Sequence, residues 1–138
     1  MRSAVMVGAG LLVLGLASGA AADTKTDAAV KAAESWLALV DGGKYDASWD
    51  RAAALFKAAL TKEQWRQSLT AARKPLGALD RRKLKSATYK TELPGAPDGE
   101  YVVIQFEASF AGKKNAVETV TPMKDKDGVW RVSGYYIK

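Results

Sequence analysis

Apolar residues recur every three or four positions along the first half of the chain, from residue 27 onward. They form one wide stripe from Asp27 to Val40, which predicts an amphipathic helix ended by a pair of glycines. A second stripe, from Tyr45 to Leu60, is rich in alanine and predicts another helix. Thr61 and Gln64 have the spacing of a capping box, so we expect a third helix to start there and to end before Pro75.

The second half of the chain changes to an alternation of apolar and polar residues, which is typical of half-buried strands. Turn-forming residues divide this half into four predicted strands: Leu84–Leu93, Tyr101–Phe110, Ala116–Met123 and Val129–Ile137. This order predicts one α+β domain, in which three N-terminal helices pack on one face of a curved, four-stranded antiparallel meander sheet.

The two faces of this sheet are expected to carry different residues. Pairing the last three strands through their short turns puts Phe106 and Val117 on the face that packs against the helices. Three residues of the last strand are expected on the same face: Trp130, Val132 and Tyr136. The other face, the outer face, holds the candidate ligand or interface residues: Tyr101, Val103, Gln105, Glu107, Glu118, Val120, Arg131 and Tyr135. Because this face mixes apolar and polar residues, it is either an ordinary, partly covered sheet or a surface covered by a partner, a second copy or the N-terminal segment.

On the outer face, Glu118 and Tyr135 are expected nearly opposite each other, with Arg131 further along the neighbouring strand. A carboxylate, a phenol and a guanidinium could bind a polar ligand or exchange protons with a substrate. The alternative, which we favour, is a cross-strand hydrogen bond and ion pair that fix the register of the sheet. A cavity between helices and sheet is another candidate small-molecule site, although its expected lining equally suits a packed core: Trp36, Trp49, Phe56, Phe106 and Trp130.

The positive charge of the chain is concentrated in one segment. Among 138 residues there are 21 Lys and Arg against 15 Asp and Glu, and residues 73–90 hold seven basic residues and one acidic residue. The predicted basic patch consists of Arg73, Lys74, Arg81, Arg82, Lys83 and Lys85. It suits an anionic surface, such as lipid head groups or acidic envelope polymers, or an edge strand that lysines protect from pairing. Nucleic acid is disfavoured, because no aromatic residue along 81–85 is placed to stack on bases.

The first 22 residues have the pattern of a cleavable signal peptide. Arg2 precedes an uncharged run, and Ala20 and Ala22 occupy the positions before Asp23 that a signal peptidase requires to be small. We therefore expect export to the periplasm or the medium. The expected mature protein is a single domain of residues 23–138 with no membrane span.

Several familiar kinds of chemistry are excluded by composition, because the chain contains no Cys and no His. It cannot form disulfides, use a Cys or His nucleophile, or bind zinc through thiolate or imidazole. Asp125, Asp127 and Gly128 share only part of a calcium-loop pattern and predict a hairpin turn instead. No glycine-rich phosphate loop follows a predicted strand, so we expect no metal and no cofactor.

Motifs along the whole mature chain resemble those of one family of small exported bacterial proteins. They include Trp36-Leu37-Ala38-Leu39-Val40-Asp41, Arg73 with Pro75-Leu76-Gly77, the run from Leu93 to Val103, and the run from Trp130 to Tyr135. On these residues the chain resembles the domain of unknown function 4019 family. The resemblance implies no activity, ligand or catalytic residue, because none is established for that family. The order of helices and strands is also similar to cystatin-like and nuclear-transport-factor-like folds, which host enzymes, binders and scaffolds alike.

These observations favour a non-enzymatic, exported domain that acts by binding, through its outer sheet face, to itself or to an envelope protein. The alternatives are a small-molecule or acid/base site at Glu118, Arg131 and Tyr135, the aromatic cavity, and an anionic surface recognised by the basic patch.

Overall fold

The computed structural model describes residues 24–138, and the expected signal peptide with its cleavage site at Ala20, Ala22 and Asp23 lies outside the described residues. Four helices come first in this part of the chain: α1 (residues 24–41), α2 (Tyr45–Asp50), α3 (Ala54–Ala59) and α4 (Lys62–Arg73), which continues into a 3-10 turn at Lys74–Leu76.

Four strands follow the helices: β1 (Leu79–Lys90), β2 (Tyr101–Phe110), β3 (Lys113–Lys124) and β4 (Trp130–Ile137). They form one sheet in the order β1-β2-β3-β4, and each neighbouring pair is antiparallel. The predicted α+β class and the meander are therefore confirmed.

Helix α1 buries the stripe that the sequence predicts, with Ala33, Leu37 and Val40 inaccessible to solvent. It ends where Gly43 takes a φ of +74°, a left-handed conformation that glycine adopts without strain. The N–H of Lys44 then donates to the carbonyl of Leu39 at 2.8 Å. This end places Asp41, in the last turn of α1, beside the sheet.

The prediction of a single helix from Tyr45 to Leu60 is wrong, because the structure breaks it into α2 and α3. At the break Ala53 is extended, with φ −63° and ψ 155°, and its N–H donates to the carbonyl of Val132 in β4 at 2.8 Å. Ala52 and Ala53 are both fully buried. Alanine favours helix locally, but here tertiary burial and a hydrogen bond to the sheet decide the conformation.

The pairing of β2 with β3 corrects the expected faces of the sheet. Phe110 pairs with Lys113, as a short turn requires, but the register shifts between Ala108 and Phe110. Beyond this irregularity Phe106 pairs with Glu118 and not with Val117. Because side chains alternate along a strand, one extra residue exchanges the faces of the rest of β3. Glu118 and Val120 thus lie on the helix-facing side and are fully buried, so their predicted place on the outer face is wrong.

A second register shift, between Thr121 and Pro122, changes the faces of β4. Tyr135 pairs with Val120 and packs against the core, whereas Tyr136 pairs with Thr119 and is 58% exposed. The predicted faces of these two tyrosines are therefore reversed. The placement of Val132 on the helix-facing side was correct, and its side chain is buried.

Aromatic rings fill the space between the helices and the sheet. Trp65 lies 5.8 Å from Trp36 and 4.9 Å from Phe56, and Trp36 lies 5.3 Å from Tyr135, all measured between ring centroids. The indole Nε1 atoms of Trp36 and Trp65 both donate to Ser48, to its carbonyl and its hydroxyl oxygen respectively. The packed-core interpretation therefore holds for Trp36 and Phe56, which the alternative interpretation placed in the lining of a cavity.

Candidate functional site

The corrected outer face of the sheet carries a different set of side chains from the one expected. Val103, Gln105 and Glu107 lie on it as predicted, and the shift in β3 adds Val117 and Thr119. Another predicted member, Tyr101, is 1% exposed, because the loop before β2 covers its ring and its hydroxyl donates to the carbonyl of Pro97 at 2.6 Å.

A groove of about 520 Å³ crosses the outer face where β1, β2 and β3 lie side by side. Strand pairing aligns Arg81 with Ser109 and Lys83 with Glu107, and Glu107 in turn pairs with Val117. A register shift between Leu84 and Ser86 brings Lys85 to the same groove. Lys114, from the start of β3, and Arg82 also line the groove, but the guanidinium of Arg82 is ion-paired in the interior. We call the groove the basic groove after its four other basic residues: Arg81, Lys83, Lys85 and Lys114.

The basic groove has little internal compensation for its charge. Glu107 is the one carboxylate that lines it. Within residues 24–138, none of the four basic residues has a carboxylate within ion-pair distance. Clustered, unpaired cations in a concave surface attract anions more strongly than the same cations on a convex surface.

Two members of the predicted basic patch are not on the surface. The side chain of Arg73 is 6% exposed and that of Arg82 is 13% exposed. Arg73 is paired with the half-buried Asp41, and Arg82 with Asp41 and the buried Glu118, so neither is available to an anionic partner. Lys74, the remaining member outside the groove, is exposed after α4.

The buried charges form a network between the end of α1, the end of α4 and the sheet. Arg82 donates to both oxygens of Asp41, at 2.7 and 3.0 Å, and to both oxygens of Glu118, at 2.6 and 3.2 Å. Arg73 donates from Nη2 to Asp41 at 2.9 Å, and the hydroxyl of Tyr135 donates to Glu118 at 2.5 Å. Two carboxylates thus meet two guanidinium groups, which neutralises the charge inside the domain.

Arg73 uses only part of its hydrogen-bonding capacity. Its Nε and Nη1 atoms are buried and have no hydrogen-bond partner among residues 24–138. The guanidinium carbon lies 4.9 Å from the ring centroid of Phe110, so a cation–π contact stabilises the group in place of further hydrogen bonds.

The network shifts the pKa of Tyr135 and of Asp41 in opposite directions, in each case away from neutral pH. Burial, followed by the charge and the hydrogen bond of Glu118, raises the pKa of the Tyr135 phenol well above its ordinary value. Burial alone would raise the pKa of Asp41, but the hydrogen bonds and charges of Arg82 and Arg73 together lower it. Glu118 has no exposed surface, so a substrate has no access to its carboxylate. The predicted contact between Glu118 and Tyr135 therefore exists, in the role of a structural cross-strand hydrogen bond.

Arg131 lies further along β4, opposite Met123, and does not join Glu118 and Tyr135 in a shared site. It donates to Asp125 at 3.0 Å and to both oxygens of Asp127, at 2.9 and 2.8 Å. The predicted turn at residues 125–128 is confirmed by hydrogen bonds between Asp125 and Val129 and from the N–H of Gly128 to Asp125. Across residues 24–138, no group of three or more acidic side chains converges to hold a metal ion.

Sequence reasoning missed Asp41 and Lys114. Asp41 falls in phase with the buried stripe of α1, four residues after Leu37, and Arg73 falls in phase with the stripe of α4, four residues after Leu69. A charged residue in phase with an apolar stripe indicates a buried partner, and this signal was available. Lys114 has no comparable signal, because only the pairing of β2 with β3 brings it to β1.

The fold and this site define a class: an α+β domain in which helices cover one face of an open antiparallel sheet, as in nuclear-transport-factor-like and ketosteroid-isomerase-like folds. A crystal structure described as a "putative ketosteroid isomerase" from Shewanella frigidimarina is similar over 80% of this chain and 94% of that chain, with a TM-score of 0.51 and 17% sequence identity. At that identity the likeness shows the fold alone. The family model described as "Protein of unknown function (DUF4019)" matches residues 32–135, so the chain belongs to this family.

Two further findings concern the sequence and its helices. The sequence has no significant match among curated proteins. Within residues 24–138, no helix combines the length and the apolar character that crossing a bilayer requires.

Proposed function

We propose that this protein is an exported, non-enzymatic binding domain that takes an anionic partner in the basic groove of its outer sheet face. The observation that carries the proposal is the convergence of Arg81, Lys83, Lys85 and Lys114 on one groove without ion-pair partners among residues 24–138.

The spacing of the groove residues suits repeated negative charges. Arg81 and Lys83 are two positions apart on one face of β1, which separates their side-chain origins by about 7 Å at the usual strand rise. Lys114 adds a cation from the far side of β2. An anionic partner gains affinity here by releasing counterions, and the binding should weaken steeply as salt rises.

The alternative of an acid/base catalyst at Glu118 and Tyr135 has weaker support. Glu118 is inaccessible and accepts hydrogen bonds from Arg82 and Tyr135, and the pKa of Tyr135 is raised away from the physiological range. A general acid or base needs access to its substrate and a pKa close to the working pH. Glu118 does not meet the first requirement and Tyr135 does not meet the second, so a structural role for this pair is favoured.

Export is part of the proposal, and its support is the signal-peptide pattern of residues 1–22. We expect the protein isolated from the periplasm or medium of its bacterial host to start at Asp23. Mass spectrometry of the intact protein measures this directly, and an uncleaved chain retained in the cytoplasm would refute export.

The groove is tested by binding to vesicles that contain phosphatidylglycerol, with phosphatidylcholine vesicles as the uncharged comparison and soluble polyphosphate as an anion outside a membrane. In the variant Lys83→Gln/Lys85→Gln/Lys114→Gln we expect affinity for anionic vesicles to fall by about 100-fold, at about 1 kcal/mol for each basic residue removed. The matched control, Lys31→Gln/Lys44→Gln/Lys126→Gln, removes the same charge from exposed positions outside the groove.

The two variants separate a local site from general charge attraction. Equal losses in both would show that net charge, and not the groove, drives binding. No binding of wild-type protein to vesicles or polyphosphate at low salt would overturn the proposed function. Binding to polyphosphate alone would identify a soluble or polymeric anion as the partner.

A further inference from the structure

A second groove lies between α4 and β4 and has a volume of about 470 Å³. Its helix side is formed by Trp65, Leu69 and Ala72, and its strand side by Tyr136 and Ile137. Leu76, after the end of α4, also lines it. We call this the α4–β4 groove.

The walls of the α4–β4 groove are mainly apolar. Tyr135 contributes its ring, but its hydroxyl is occupied by the hydrogen bond to Glu118 at 2.5 Å. Tyr136, which the shift in β4 turns away from the core, is 58% exposed and is among the most exposed large apolar side chains of residues 24–138. A concave apolar surface of this volume falls in the range of small-molecule sites, about 300 to 1,000 Å³.

The charged side chains that line the α4–β4 groove are cationic, and Ser68 adds a neutral hydroxyl. Lys113 and Lys138 line it and are exposed, and no Asp or Glu side chain lines it. Neither lysine side chain has a carboxylate side chain within ion-pair distance among residues 24–138. A ligand that matches both features has an apolar body and a negatively charged end.

We propose that the α4–β4 groove binds an amphipathic anion, a hydrocarbon chain with a terminal carboxylate such as a medium-chain fatty acid. The hydrocarbon chain packs along Ala72, Leu76 and Tyr136, and the carboxylate meets Lys113 and Lys138. This site is independent of the basic groove, because the two share no lining residue. A negative binding result at one groove therefore does not contradict the proposal for the other groove.

The experiment is a calorimetric titration of the full mature chain with dodecanoate, below the concentration at which micelles form. Ala72 is an exposed lining residue on α4, so Ala72→Phe fills the groove without disturbing the core. We expect this variant to bind dodecanoate at least about tenfold more weakly. Ala71→Phe is the matched control, since Ala71 is exposed on the same helix and does not line this groove.

Charge recognition has its own pair of variants. Lys113→Gln is expected to weaken dodecanoate binding by about threefold to tenfold and to leave binding of uncharged dodecan-1-ol unchanged. Lys114→Gln, one residue along the chain and in the basic groove, is expected to leave dodecanoate binding unchanged.

Three results would overturn the proposal. They are the absence of saturable dodecanoate binding, equal losses in Ala72→Phe and Ala71→Phe, and equal affinity of wild-type protein for dodecanoate and dodecan-1-ol. The first two would exclude this groove as a binding site, and the third would exclude recognition of the carboxylate.

Discussion

Arg82 links three parts of the molecule through one guanidinium group. It contacts Asp41 at the end of α1 and Glu118 in the middle of β3, although it belongs to the edge strand β1. Burial alone would lower the pKa of Arg82, but the hydrogen bonds and charges of Asp41 and Glu118 raise it, so the group stays charged. A buried ion pair adds little net stability compared with apolar packing, yet removing one partner leaves an uncompensated charge.

Among the residues of this network, Glu118 is the one whose replacement should lower the free energy of unfolding most. We expect Glu118→Gln to lower the free energy of unfolding by about 3 kcal/mol, because Arg82 then remains buried with too few negative partners. Urea denaturation measures the change. The control is Glu107→Gln on the exposed outer face of β2, for which we expect a change within about 0.5 kcal/mol. Similar changes in the two variants would contradict the network.

Asp41 should make stability depend on pH in a defined direction. Its pKa in the folded protein is below the ordinary value of 3.8, since Arg82 and Arg73 outweigh the effect of burial. Such a carboxyl group stabilises the fold above its unfolded-state pKa, and the contribution is lost as pH falls through the folded-state pKa. We therefore expect Asp41→Asn to lower the urea midpoint at pH 7. The difference in urea midpoint between variant and wild type should disappear as the pH falls below 3.8.

The control for this pH dependence is Asp80→Asn, because Asp80 is exposed and has no ion pair among residues 24–138. A gap between Asp41→Asn and wild type that stays constant from neutral to acidic pH would show that the carboxylate charge is not what Asp41 contributes.

At the scale of elements, two register shifts decide which side chains enter the core. Apart from the break between α2 and α3 and the bounds of β1, which were predicted at Leu84–Leu93, the helices and strands could be predicted from periodicity, because each depends on neighbours along the chain. The shifts next to Phe110 and Pro122 insert an extra residue in one strand relative to the other, and nothing local in the alternation of β3 marks them. The sequence therefore predicted the strands but reversed the faces of Glu118, Val120 and Tyr135.

The reversal of the two tyrosines in β4 gives a direct test of the register. Tyr135 packs between Trp36 and Trp65, so Tyr135→Ala should lower the free energy of unfolding by about 3 kcal/mol. Tyr136 is more than half exposed, so Tyr136→Ala should cost less than about 1 kcal/mol. Both are measured by urea denaturation, and the opposite ranking would restore the register expected from the sequence.

At the scale of the whole molecule, charge is divided between an interior network and an exposed groove. Arg73 and Arg82 are neutralised inside, while Arg81, Lys83, Lys85 and Lys114 share one surface. A symmetric dimer formed through the outer face would bring two such grooves together and would be opposed by like-charge repulsion.

We therefore expect the mature chain to be a monomer at low salt. Light scattering at several protein concentrations measures its mass. A dimer at low salt would contradict this expectation and would favour self-association through the outer sheet face. A dimer that appears only at high salt would agree with repulsion between the grooves.

The sequence by itself determined the class of fold, the order of elements, the capping box at Thr61 and Gln64, and the turn at residues 125–128. These features depend on side-chain periodicity and on contacts between residues a few positions apart. The tertiary structure decided the break in the second helix, the faces of β3 and β4, and the division of the basic segment into buried and exposed residues. The helix break and the buried arginines depend on partners more than 30 positions away: Ala53 needs Val132, and Arg82 needs Asp41 and Glu118. The faces of β3 and β4 depend on pairing with a neighbouring strand, as of Phe106 with Glu118 and of Val120 with Tyr135. Local pattern carries no information on such pairs, because the free energy that selects them arises only when distant segments are packed together.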